Sequence, residues 1–157
     1  MKLLSWCLVI SGALLVGASD AAAQPGLQKT VSAYIAKQAK AQDADEYRPA
    51  RRIVTGDLNG DGTSDAAVQY TLEGMGGGNS FAQMLVVFIN RKGRYQFATE
   101  EIVGAKMMER TTTLTRIAKR QIKLETEACP ELPQGVCNNP KKGAATFILR
   151  GGKLSEL

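Results

Sequence analysis

Apolar residues recur along this chain with two distinct periods. Over 27–41, just after Pro25 and Gly26, the residues Leu27, Val31, Tyr34, Ile35 and Ala39 fall on one stripe at helical spacing, which predicts an amphipathic helix that packs on a sheet. Further on the period shortens to two. The segment 84–90 is almost continuously apolar, as suits the middle of a sheet covered on both faces. It turns at 91–94 into 95–99, which alternates, so the two form a hairpin. Thr-rich alternation over 111–117, Ile122 and Leu124 on one side of 121–126, and Ala145, Phe147 and Leu149 within 143–150 add further strands. The predicted fold is α+β, a single antiparallel sheet of about five or six strands with the N-terminal helix across one face. Residues 42–49 read as a polar connector, the glycine-rich 74–80 as a hairpin connection, and 151–153 as a turn into the tail.

The first residues belong to a different pattern. Lys2 precedes an apolar run over 3–17 and then small residues ending in Ala21, Ala22 and Ala23, which predicts a secretory leader over 1–23, cut before Gln24. The run is short of the ~20 residues a membrane-spanning helix needs. A single domain over 24–157 is then expected in the periplasm or outside the cell. Cys7 leaves with the leader. Cys129 and Cys137, which bracket a loop with two prolines, are expected to pair in that oxidising setting, a staple worth about 2.5 kcal/mol.

Losing Lys2 and Asp20 together leaves the net charge of +5 unchanged. That excess favours an anionic envelope or extracellular partner. Neither nucleic acid nor stable membrane insertion is expected, and the chain is expected to be a monomer. Arg116, Lys119, Arg120 and Lys123 cluster around the predicted strands 111–117 and 121–126, where such charge ordinarily forms a solvated edge that discourages strand pairing.

The segment richest in chemistry is 57–65, between strand-like flanks at 51–55 and 66–72, the latter with Val68, Tyr70 and Leu72 on one face. Oxygen-bearing residues stand there at alternate positions: Asp57, Asn59, Asp61, Thr63 through its carbonyl, and Asp65, with Gly62 at the turn. Calcium takes about 6 to 8 hard oxygen ligands from loops of this spacing. Asn59-Gly60 and Asp61-Gly62 are also good turn dipeptides without any metal. Three mutually repelling aspartates exceed what a turn needs, and this favours Ca²⁺ as cofactor. The position where a helix-loop-helix calcium hand carries its closing glutamate is Val68, so the remaining ligands come from water or elsewhere.

The loop resembles that of the VCBS and FG-GAP repeats, in which a strand leads into Asp-x-Asn-Gly-Asp-Gly-x-x-Asp and is followed by strands and a Gly-x-aromatic turn, here Gly93, Arg94 and Tyr95. Such repeats build propellers from about 4 to 8 blades. The pattern occurs once here, so the resemblance implies the loop chemistry and not the propeller. The layout of leader, helix, Asp-rich loop, glycine turn, Cys129-Pro130 and a final Gly151-Gly152-Lys153-Leu154 is also similar to that of small exported bacterial proteins of uncharacterised role.

The chain contains no histidine, which removes the commonest general base and the usual nucleophile pairs. The expected function is therefore non-enzymatic: an exported calcium-binding module with a binding or structural role in the cell envelope. A calcium-dependent hydrolase of an envelope polymer, using Glu73, Glu100 or Glu101 as acid, is the alternative. Glu100 and Glu101 are adjacent on a strand and so point to opposite faces. A third possibility is an inhibitor that presents the Cys129 to Cys137 loop.

Overall fold

A computed structural model describes residues 25–129 and 139–157. The leader expected over 1–23, and Cys137, lie outside the described residues. Helix α1 (Pro25–Ala41) begins on a proline, whose fixed φ suits a first helical turn, and buries Leu27, Val31 and Ile35, one residue per turn. Tyr34 and Ala39 pack beside them, so the predicted stripe is the packed one. Past Ala41 the helix ends with the Ala44 amide bonded back to the Ala39 carbonyl at 3.0 Å.

Nine strands follow: β1 (Asp45–Glu46), β2 (Arg52–Gly56), β3 (Asp65–Glu73), β4 (Phe81–Arg91), β5 (Arg94–Ala105), β6 (Arg110–Ala118), β7 (Gln121–Ala128), β8 (Lys141–Arg150) and β9 (Lys153–Glu156). All pairings are antiparallel, in the order β1, β3, β4, β5, β6, β7, β8, β9, with β2 also on β3. The α+β class and the antiparallel sheet under a helix are as expected. The count of five or six strands is not. Part of the excess, β1 and β9, falls in the segments read as connector and tail. Both are short and polar, and backbone ladders to β3 and β8 recruit them, with Leu154 the only residue of either that is buried.

One rung, Ala105 to Arg110, joins β5 to β6. Beyond it β6 leaves its neighbour and crosses the face of the preceding strands, so the sheet folds back on itself. Its first part, β1 to β5, has two covered faces. Val68, Tyr70, Leu72, Val86 and Phe88 pack under α1. Ala67, Leu85, Val87 and Val103 face the second part, where they meet Leu114, Ile122, Leu124, Phe147 and Leu154. Burial on both sides explains why β3 and β4 carry almost unbroken apolar runs.

Polar side chains tie the layers at chosen points. Arg51 makes a two-pronged pair with Glu46 and also donates to the Ser32 hydroxyl of α1 at 2.9 Å. Between the layers, the amide of Gln69 donates to the Thr112 carbonyl at 2.8 Å and accepts from the Leu114 amide at 2.6 Å. Gln83 accepts from the Thr112 amide at 2.6 Å. The edge of β6 that leaves β5 is thus satisfied by glutamine side chains from β3 and β4.

Candidate functional site

The oxygen-rich loop connects β2 to β3, as its flanks predicted. Gly60 and Gly62 take φ of 85° and 79°, a region costly for other residues, and so let the chain double back. The side chains then turn onto the loop's own backbone. Asp57 accepts from the amides of Gly60 at 2.6 Å and Gly62 at 3.1 Å, one on each oxygen. Asn59 Oδ1 accepts from the Asp61 amide at 2.9 Å, and Asp61 Oδ1 from the Thr63 amide at 2.7 Å. The Asn59 side-chain amide donates to Asp61 Oδ2 at 2.9 Å. That bond first, and the Thr63 amide second, hold the Asp61 carboxyl below the ordinary carboxylate range.

Asp65 differs from the other loop residues. It opens β3 and is fully buried, with its two oxygens accepting from the amides of Leu58 at 3.0 Å and Asn90 at 2.9 Å. Asn90 in turn donates to the Ser64 carbonyl at 3.2 Å. Leu58 is buried in the inner core, so both ends of the loop are anchored. Asp57, Asn59 and Asp61 are brought together on an open rim, while Asp65 sits beneath as the clasp.

A positive group approaches from far along the chain. In the turn between β6 and β7, Lys119 and Arg120 both take positive φ. Arg120 Nη1 then lies 2.7 Å from where a Cβ on residue 60 would be, so the guanidinium reaches the loop at Gly60, whose positive φ is what calls for glycine there. Lys119 and Arg120 line a shallow depression with Gly56, Asp57 and Ile117. Part of the repulsion among the aspartates is met by the loop's own backbone amides. Sequence reasoning missed the approach of Arg120 because nothing local to residue 120 signals the contact. Lys123, of the same cluster, instead donates to Gln121 and Thr146.

In kind, the donors fit a hard cation: carboxylates, an amide oxygen and the Thr63 carbonyl. Among the described residues no group of three or more cysteines, aspartates or glutamates is arranged to hold a metal. A calcium shell built here would rest on Asp57, Asn59, Asp61 and Thr63 and be completed by water. Each side-chain oxygen of Asp57, Asn59 and Asp61 already accepts from an N–H, and Asp65, whose oxygens are both engaged and buried, would have to share one as well.

The glutamates considered as acids are dispersed. Glu73 ends β3, the strand that Asp65 begins, which puts it about 26 Å from the loop at ~3.3 Å per residue. The glycine turn at 74–80 lies at that same far end, docked on the end of α1 through the Gly76 amide, which donates to the carbonyls of Gln42 and Asp43. Glu101 is exposed. Glu100 faces α1 and accepts a 2.6 Å bond from the Tyr70 hydroxyl. Burial pushes its carboxyl up, against the opposing effect of hydrogen bonds from Tyr70 and Tyr34. Burial, followed by Glu100 itself, raises both phenols well above their usual range. Tyr34 comes from α1, Tyr70 from β3 and Glu100 from β5, a grouping that needs strand register, which the sequence does not disclose. Cys129 is disulfide-bonded, and its expected partner Cys137 lies outside the described residues.

Glu100 sets a pH dependence with a definite sign. A folded-state pKa above the unfolded ~4.3 means that this group favours folding most at acid pH, and that the contribution is lost as pH rises through the folded value. Glu100→Gln stays neutral throughout and still accepts from Tyr70. The Tm of this variant minus that of the parent is expected to increase as pH rises above about 4 and to level off once the folded carboxyl has ionised, as followed by thermal unfolding.

Compared with family models, curated proteins and solved structures, the chain matches none.

Proposed function

We propose that this chain is an exported calcium-binding module with a non-enzymatic role in the cell envelope, in which the ion fastens the turn between β2 and β3. One observation carries it: Asp57, Asn59 and Asp61 are gathered on one glycine-hinged rim, each held by amides of the same loop, above an anchored Asp65. Each engaged oxygen retains a further lone pair, and backbone amides that pre-orient carboxylates lower the cost of assembling an ion's shell. The resemblance to VCBS and FG-GAP loops supports the same ligand set. Bound calcium would supply a charge that offsets the rim's acidity.

The absence of histidine and the distance of Glu73 from the loop favour binding over hydrolysis. The basic excess suits an anionic envelope component as the neighbour.

The test is thermal unfolding of chelator-treated protein with added Ca²⁺ or Mg²⁺. Calcium at a hundredfold excess over its Kd is expected to add about 2.7 kcal/mol of stability, with magnesium well behind. Asp57→Asn combined with Asp61→Asn should abolish the gain. An unchanged midpoint at millimolar calcium removes the metal.

A further inference from the structure

We propose that the outer edge of β5 is a docking edge, which accepts an extended segment of a protein partner as an added strand in which apolar residues alternate with lysine or arginine. β5 runs along β4 from Arg94 to Ala105, but its other side meets β6 only at Ala105. Over 96–102 no strand among the described residues pairs with this side, whereas beyond it the Val103 carbonyl is already taken by Arg110 Nε at 3.1 Å. Such a row of amides and carbonyls pairs most readily with another extended chain.

The side chains along this edge specify the partner further. Phe97 is 53 % exposed although it stacks on Tyr34 at 5.2 Å, and Ile102 is 46 % exposed. Both lie on the α1 side, so an added strand placing apolar residues on that side would cover them. The edge is locally acidic in a chain of net charge +5: Glu100 and Glu101 have no cation between Arg94 and Lys106. Tyr70 occupies Glu100, which leaves Glu101 as the exposed charge for a cationic side chain opposite. The usual protections of an edge, lysine or proline along it, are missing there. Extra residues at Ala98 and Val103 bend the strand and leave the stretch between them, from Thr99 to Ile102, in regular register with β4. A second copy of the chain is a poor occupant, because antiparallel self-pairing would crowd the Glu100 and Glu101 carboxylates of both copies into one short ladder.

The experiment is selection from a random peptide display library on the folded full chain, followed by synthesis of the enriched peptides. Expected are peptides alternating apolar with Lys or Arg, and slowed amide hydrogen exchange within 96–102 when they bind. Glu101→Lys should weaken them about tenfold with little change in Tm, since the residue is exposed. Phe97→Ser with Ile102→Ser should weaken them further. Failure to enrich any peptide, enrichment of acidic ones, protection elsewhere on the chain, or a dimer that buries this edge in sedimentation would each overturn the proposal.

Discussion

Asp65→Ala is expected to lower folding stability by about 3–5 kcal/mol, the largest effect of any single change in the loop. The carboxylate is fully buried and accepts two backbone amides, Leu58 before it and Asn90 of β4. Charge-assisted bonds contribute about 1.5–3 kcal/mol each, and alanine would leave both donors without their acceptor. Asp65→Asn retains one oxygen and should lose about half as much. Urea unfolding with chelator and with calcium separates two roles for this residue. A loss that persists in chelator marks a clasp of the polypeptide itself, whereas one confined to calcium would make Asp65 a ligand and nothing more.

Gln69→Leu comes second, with an expected cost of about 2–4 kcal/mol despite being similar in size and more apolar. Gln69 is 2 % exposed, and its amide substitutes for a missing strand by meeting the Thr112 carbonyl, the Thr112 hydroxyl at 2.7 Å and the Leu114 amide. Leucine fills the volume and leaves the Leu114 amide without its acceptor between two apolar layers, while the Thr112 carbonyl keeps only its 3.2 Å bond from Gln83. Equilibrium unfolding gives the loss, and faster hydrogen exchange at the Leu114 amide locates it. A neutral or stabilised variant would show that packing alone holds the layers.

How much of this was legible in the sequence depended on the range of the interaction. Helix α1 was readable because Leu27, Val31 and Ile35 mark one face at a fixed period. The central strands were readable because burial on two sides leaves runs such as 84–90 with almost no polar residue. The loop was readable from its glycines and alternating oxygens, and the structure places Asp57, Asn59 and Asp61 together on the rim. The distinct position of Asp65 was not readable, since its second partner, Asn90, lies 25 residues away and contributes only a backbone amide. Nor was the approach of Arg120 to Gly60, nor the meeting of Glu100 with two tyrosines. Each depends on register between strands, and a surface cation or a strand glutamate looks the same in sequence whatever it faces. Strands β1 and β9 escaped notice for a related reason: hydrogen bonding of the backbone, not side-chain periodicity, recruits them.

The single rung between Ala105 and Arg110 has a consequence for how the molecule assembles. On either side of it most pairings join consecutive strands, β1 on β3 excepted, and such hairpins close quickly. The bonds that bring the two parts together span 29 to 45 residues, from Gln83 and Gln69 to Thr112 and Leu114. Closing those long loops is the slow entropic step. Until it happens, both parts present their apolar inner surfaces, so a chain arrested at this hinge is the species most exposed to aggregation.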